Sequence, residues 1–331
     1  MRRRRRAYPA AALLLPILLA ACTSAPDRRA DGPAPGATGP TTPPSAGPAA
    51  SARTPDATTG PTAGPTVSGP TGAGPTSEGP GARPTTARPT GAATGTPAGR
   101  RWQPRPGLAW QWQLDGTVDP SVDVPVYDID GFENSAATVA RLHRDGRKVI
   151  CYINVGAWED YRPDRDAFPR SLLGGPNGWH GERWLDIRRV DLLRPLMERR
   201  FDMCRDKGFD AVEPDLMEGY AADTGFPLTA DDQLRYNRMI AAIAHERGLA
   251  VGLKNDLGQI PELVRHFDFA VNEECAQFDE CALLEPFVAA GKAVFHVEYE
   301  EPKASFCPHS RALRLSSMRK GLELGVWRSP C

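Results

Sequence analysis

Residues 23–100 contain no aromatic side chain and, apart from Val67, no aliphatic one larger than alanine. They hold 16 Pro and 14 Gly among Ala, Thr and Ser. Such a stretch cannot bury enough apolar surface to offset the entropy of ordering it, so it predicts disorder rather than a domain. Only residues 101–331 remain to fold, as one unit. That length is close to the roughly 250 residues of a (β/α)8 barrel. Gly-Pro-Thr recurs at 60–62, 64–66, 69–71 and 74–76, which suits an extended tether.

The tether follows an address segment. Arg2 to Arg6 form a charged head, and Ala10 to Ala21 form an apolar stretch too short to span a membrane as a mature helix. The stretch ends in Leu19-Ala20-Ala21-Cys22, which resembles a bacterial lipobox. That resemblance implies cleavage before Cys22 and a lipid on its sulfur. The expected organisation is a signal peptide over 1–21, a disordered linker over 22–100 and a catalytic barrel over 101–331. The expected location is the outer face of the bacterial cell membrane, with the membrane as a partner through Cys22. Six cysteines then remain: Cys151, Cys204, Cys275, Cys281, Cys307 and Cys331. An even number in an exported domain reads as disulfides, with 15 possible connectivities. Closeness in sequence favours Cys275–Cys281 and Cys307–Cys331, which leaves Cys151–Cys204.

The whole chain sums to −1, but its charges are unevenly placed. Residues 1–100 carry 11 Arg and 4 acids, leaving 29 basic and 37 acidic residues in 101–331, a net of −8. Nucleic-acid binding needs a basic face, so this balance argues against it. An acidic unit suits a neutral or cationic ligand, although the same charge serves solubility alone.

Within 101–331, short apolar runs alternate with helical patterns. The runs are 108–114, 124–130, 148–154, 209–215, 249–255, 267–273, 293–299 and 324–327. Helical patterns fall near 134–145, 187–207, 231–247, 257–265, 281–290 and 310–320. Asn134 and Thr229 read as N-caps, and Gly146, Gly208, Gly248 and Gly291 as stops. Eight strands alternating with helices predict an α/β fold, a closed (β/α)8 TIM-like barrel. The alternative, an open doubly wound sheet, usually carries a Gly-rich phosphate loop after its first strand. Gln113-Leu-Asp-Gly116 is not such a loop.

In a barrel the C-terminal strand ends build the active site, and here those ends are acidic and polar. They are Asp128 and Asp130; Tyr152 and Asn154; Glu213-Pro-Asp215; Lys254-Asn255-Asp256; Asn272-Glu273-Glu274; and Glu298-Tyr299-Glu300. Side chains alternate along a strand, so Asp215 and Glu273 top inward-facing rows two strands apart. Paired carboxylates flanking a pocket are what glycosidic cleavage needs, one protonated and one ionised. Trp110 and Trp112 are expected in the core, whereas Trp158 and Trp179 lie in a long connection and suit a cleft or lid. No CxxC pair or HExxH pattern occurs, so neither a metal nor a cofactor is expected.

Much of 102–331 resembles glycoside hydrolase family 114, the endo-α-1,4-polygalactosaminidases. The stretches that carry the resemblance include Trp110-Gln-Trp-Gln-Leu114, Tyr127-Asp-Ile-Asp130 and Cys151-Tyr-Ile-Asn-Val-Gly-Ala-Trp-Glu159. Others are Trp184-Leu-Asp-Ile187, Gly208-Phe-Asp-Ala-Val-Glu-Pro-Asp215, Gly248 to Asp256, Asn272-Glu-Glu-Cys275 and Glu298-Tyr299. The resemblance implies a (β/α)8 barrel that hydrolyses α-1,4-linked galactosamine polymers, with Asp215 and Glu273 as the reacting carboxylates. Asp215 is expected as nucleophile or base and Glu273 as general acid, with the exchange of roles open. Asp128, Tyr152, Lys254, Asn255, Glu298, Tyr299 and Trp158 are the candidates for binding the sugar. For Lys254, a salt bridge that keeps a carboxylate ionised is an equal alternative. Two departures touch the rim: Leu216-Met-Glu-Gly-Tyr220 where the family often has Asn-Ile-Asp-Gly-Tyr, and Glu274 where it often has Gln. The competing functions are a sugar-binding barrel without turnover and, lower, a metal-dependent hydrolase. A monomer is expected.

Overall fold

The computed structural model describes residues 101–331; the expected signal peptide, Cys22 and the tether lie outside the described residues. Eight strands pair side by side, all parallel: β1 (Trp110–Gln113), β2 (Val126–Asp130), β3 (Lys148–Asn154), β4 (Ala211–Asp215), β5 (Ala250–Lys254), β6 (Phe269–Glu273), β7 (Val294–Glu298) and β8 (Ser316–Arg319), and a two-residue ninth, β9 (Ser329–Pro330), joins β8 antiparallel. Six helices follow successive strands: α1 (Ala136–Arg144), α2 (Val190–Asp206), α3 (Ala230–Glu246), α4 (Ile260–Leu263), α5 (Glu285–Ala289) and α6 (Lys303–Ala312). The expected α/β, TIM-like architecture is the one observed. A three-stranded antiparallel sheet (157–159, 173–176 and 182–185) is inserted between β3 and α2.

The sheet curls until β8 meets β1, where Trp110 Nε1 donates to the Ser316 carbonyl at 2.8 Å. Among the described residues no strand ladder closes this seam. Segment 324–326 completes it instead: Leu114 N donates to Leu324 O at 3.0 Å, and Gln111 Nε2 to Val326 O at 2.8 Å. That corrects the expected eighth strand at 324–327, which is irregular. The true eighth strand reads Ser-Ser-Met-Arg and carries no apolar run. Its Ser317 hydroxyl pairs with the buried ring of His296. The last helix likewise begins at Lys303 rather than 310, running through Pro308 although proline usually breaks a helix. Ser135, not Asn134, caps α1 by accepting from Thr138 N; Thr229 caps α3 with a full capping box.

Strand alternation divides the core into two layers. Tyr127, Ile129, Val149, Ile153, Val212, Val251 and Leu253 face outward and pack with the helices. Trp110, Trp112, Val126, Ile150, Phe269, Val271 and Phe295 fill the barrel, with Trp110 and Phe295 rings 4.9 Å apart. Gly252 leaves the space that the Phe269 ring takes, because a Cβ there would lie 2.5 Å from it. The disulfides are Cys151–Cys204, Cys275–Cys281 and Cys307–Cys331, the pairing that closeness favoured. They tie β3 to α2, close the loop after β6 and fasten the last residue to α6.

Candidate active site

Above the aromatic filling, the inward rows of β2 to β6 turn polar. Asp128, Tyr152, Glu213, Asp215, Lys254 and Glu273 all continue rows whose lower members are apolar. Lys254 is the centre. Its ammonium lies 2.7 Å from Asp215 Oδ1 and 2.7 Å from Glu273 Oε2, 3.7 Å from Glu213 Oε1, and 5.1 Å above the Trp112 ring. β5 lies between β4 and β6, so one lysine reaches the carboxylates of both neighbours. Burial acts to discharge this lysine, but the Asp215, Glu273 and Glu213 charges hold its pKa well above the ordinary value.

Each carboxylate of the upper pair has a tyrosine. Tyr152 donates to Asp215 Oδ2 at 2.8 Å, and Tyr299 donates a short hydrogen bond to Glu273 Oε1. Burial alone would raise the Asp215 carboxyl. The Lys254 charge, the hydrogen bonds from Lys254 and Tyr152 and the Leu216 N–H together hold it below the usual aspartate value. Both acids remain reachable, with Asp215 at 15% and Glu273 at 24% side-chain exposure.

Beneath them lies a second pair. Asp128 and Glu213 are fully buried, and no hydrogen-bond donor among the described residues satisfies their oxygens. Their carboxyl groups interact, and two such groups buried together without a donor cannot both ionise, so one must carry a proton. Burial pushes Asp128 up to about 7 and Glu213 well above its ordinary value.

The backbone turns sharply just after each strand bearing the upper constellation. Leu216 has φ 59°, Asn255 48° and Glu274 62°, in the left-handed region that non-glycine residues seldom enter. Each such residue costs on the order of 1–2 kcal/mol. The turns end the strands at Asp215, Lys254 and Glu273, leaving those side chains at the mouth. Gly156 fits against the first turn, since a Cβ there would lie 1.9 Å from the Leu216 carbonyl oxygen.

The remaining candidates are dispersed. Asn255 accepts the Glu273 N–H at 3.0 Å, so it braces that strand end. Glu298 is not at the mouth: it faces outward from β7, where His296 Nε2 lies 2.8 Å from its Oε1 and Ala276 N donates to the same oxygen. Its position one residue before Tyr299 puts it on the opposite face. Trp158 is half-buried against the outer core and donates to the Arg165 carbonyl. Of the departing residues, Glu218 accepts from Asp256 N at 3.1 Å and lies close enough to Lys254 and Asp215 to feel both charges; burial first raises its pKa. Glu274 lies near Glu273, Glu298 and Glu300; burial first, then these charges, raises its pKa. The nearest grouping of metal-type donors among the described residues is Cys275, Cys281 and His296, whose sulfurs are already joined in a disulfide.

An eight-stranded parallel α/β barrel with two carboxylates from alternate strands at its C-terminal mouth defines a glycoside-hydrolase type of site. The sequence model of glycoside-hydrolase family GH114 matches residues 91–331. The chain belongs to that family and is a glycoside hydrolase. Among solved structures it is similar to Ega3 of Aspergillus fumigatus in complex with galactosamine, at 40% identity and a TM-score of 0.67. That match covers 70% of this chain and 97% of the other. The glycoside hydrolase domain of PelA from Pseudomonas aeruginosa shares the fold at 14% identity, with a TM-score of 0.53 over 67% and 97% of the two chains. A search of curated proteins finds no match.

Proposed function

We propose that this enzyme cleaves within α-1,4-linked, galactosamine-containing polysaccharide, with Asp215 as nucleophile and Glu273 as general acid. The observation that carries the assignment is the shared ammonium. Each carboxylate places an oxygen 2.7 Å from Lys254 Nζ, so those oxygens are at most twice that distance apart. That bound accommodates the about 5–5.5 Å between carboxyl groups of retaining enzymes and favours them over the about 6.5–9.5 Å that admits a water in inverting ones. The sugar enters over the mouth. Asp215, kept ionised by Lys254 and Tyr152, attacks the anomeric carbon while Glu273 gives its proton to the leaving oxygen. Glu273 then takes a proton from water, which displaces Asp215 and restores both groups. An unacetylated galactosamine unit is a cation near neutral pH, and the net charge of −8 over 101–331 favours its approach.

We further propose that the enzyme works as a monomer outside the cell, held to the membrane by a lipid on Cys22. A Cys22→Ala chain recovered from the medium rather than the membrane fraction supports this, and unchanged partitioning overturns it.

The activity is tested by incubating the protein with partly deacetylated α-1,4-galactosamine polymer and counting new reducing ends. Glu273→Gln should lower release by about 10²–10⁴-fold, the usual contribution of a general acid, and Asp215→Asn by at least as much. Both variants should keep the wild-type circular dichroism. Binding of polymer by the wild type without release would leave a sugar-binding barrel instead.

A further inference from the structure

The inserted sheet carries two carboxylates side by side, and only one is neutralised. Glu159 and Glu182 are directly opposed across the antiparallel pair, hence on one face. Tyr161 donates to both, at 3.1 and 2.7 Å. Glu159 is buried and paired with two guanidiniums, Arg162 at 2.8 Å and Arg200 at 3.3 Å. Glu182 is held by neutral donors instead: Tyr161 on one oxygen, Asn177 Nδ2 at 2.8 Å and Asn154 Nδ2 at 3.4 Å on the other. Among the described residues no cation forms an ion pair with it.

Its location gives this contrast meaning. Asn154 is the register partner of Asp215, and adjacent strands lie about 4.8 Å apart. Asn154 and Asp215 continue the inward rows of β3 and β4, so Glu182 stands on the β3 side of the mouth, a short step from Asp215. Its charge is felt at Tyr152, the residue that donates to Asp215. Two residues with exposed aromatic side chains adjoin it: Tyr161, 52% exposed, whose hydroxyl donates to Glu182, and Trp179, 57% exposed, whose carbonyl accepts Glu182 N. Trp179 is fixed by its backbone, donating to Asn177 Oδ1 and accepting from Glu182 N.

We propose that Glu182, with Tyr161 and Trp179, forms a subsite that selects a cationic sugar: the ammonium of an unacetylated galactosamine unit neighbouring the one being cleaved. The carboxylate is oriented in advance by three hydrogen bonds, none of them from a cation. The aromatic faces present apolar surface to the sugar ring. N-acetylation removes the cation and leaves Glu182 facing a neutral amide, so this subsite favours deacetylated stretches. The inference rests on the function proposed above.

The test compares kcat/KM of the full chain on fully deacetylated and on N-acetylated α-1,4-galactosamine oligomers. Glu182→Gln should lower the deacetylated-to-acetylated ratio by about three- to fivefold, the effect of one partly exposed charge pair, mainly through KM. Raising the salt concentration should shrink the wild-type ratio more than that of the variant. Equal losses on both oligomers, or no change, overturn the subsite while leaving the hydrolase assignment intact. No release by the wild type from either oligomer overturns the hydrolase assignment, and the subsite with it. Should Glu182→Gln melt early, Trp179→Ala serves instead, because its ring is solvent-exposed: KM for the deacetylated oligomer should rise, and an unchanged KM overturns the proposal.

Discussion

Lys254 separates two pairs of carboxyl groups that share residue types and strand faces in one barrel, yet differ in donors and exposure: Asp215 and Glu273 are 15% and 24% exposed, Asp128 and Glu213 fully buried. Above it, Asp215 and Glu273 each receive the ammonium and a tyrosine hydroxyl. Below it, Asp128 and Glu213 receive no donor but each other. A single ammonium cannot neutralise four carboxylates, and a fully buried one with no donor regains its proton. The difference shows that protonation here follows burial and which oxygens the donors reach. The upper pair is prepared for chemistry, and the lower pair is a protonated floor that lets Lys254 favour the groups above it.

Removing the lysine should break this division with the largest effect. Lys254→Met leaves the ionised Asp215, 15% exposed, without its counter-charge; stripping one partner from a fully buried ion pair costs about 3–5 kcal/mol, which is the upper bound here. Asp215 has a depressed pKa in the folded enzyme, so its contribution to stability is present above the unfolded value and lost as pH falls through the folded one. Without Lys254 the folded pKa rises. The acid limb of kcat against pH should move upward, and thermal melting should fall most at neutral pH. An acid limb unmoved in Lys254→Met would show that the lysine does not hold Asp215 ionised.

Tyr152→Phe sharpens the same contrast on a smaller scale. It removes one of the donors to Asp215 and leaves the ammonium in place. A hydrogen bond to a charged group is worth about 1.5–3 kcal/mol, so kcat/KM should drop by about ten- to a hundredfold, with the acid limb again displaced upward. Full activity at every pH would mean that Lys254 alone sets the charge.

Much of this was legible in the sequence because barrel strands announce themselves as apolar runs. Seven of the eight runs correspond to strands, and Asp215 and Glu273 sit at strand ends where alternation put them. The eighth strand was hidden because its stability comes from a Ser–His hydrogen bond and from Met318 filling the barrel, not from a hydrophobic run. Alternation also gives the reason that Glu298 points away, since Tyr299 and Glu298 cannot share a face. Other features leave little sequence trace. The left-handed turns at Leu216 and Glu274 use neither glycine nor asparagine, so nothing local marks them, whereas Asn255 is a residue type that enters this region more readily. The pairing of Asp128 with Glu213, two strands apart across β3, is a tertiary fact, as is the unmatched charge of Glu182 within the insertion.

The lower pair offers the finest test of the comparison, through the pH dependence of stability. Asp128 holds its proton in the folded enzyme up to about 7, whereas the unfolded chain gives it up near 3.8. Between those values the native state carries the extra proton, so stability must fall as pH rises, by up to about 1.4 kcal/mol per pH unit for each such proton. Glu213 and Asp256 are also raised, Asp256 to about 8, and they add to the same decline. Asp128→Asn removes one titrating group and supplies an amide that can donate to Glu213, drawing that carboxyl back toward its ordinary value. Urea unfolding at pH 5, 6 and 7 should therefore show a shallower loss of stability in Asp128→Asn than in the wild type. Parallel slopes would mean that the buried pair does not hold a proton across this range, and that the floor beneath Lys254 is as charged as the mouth above it.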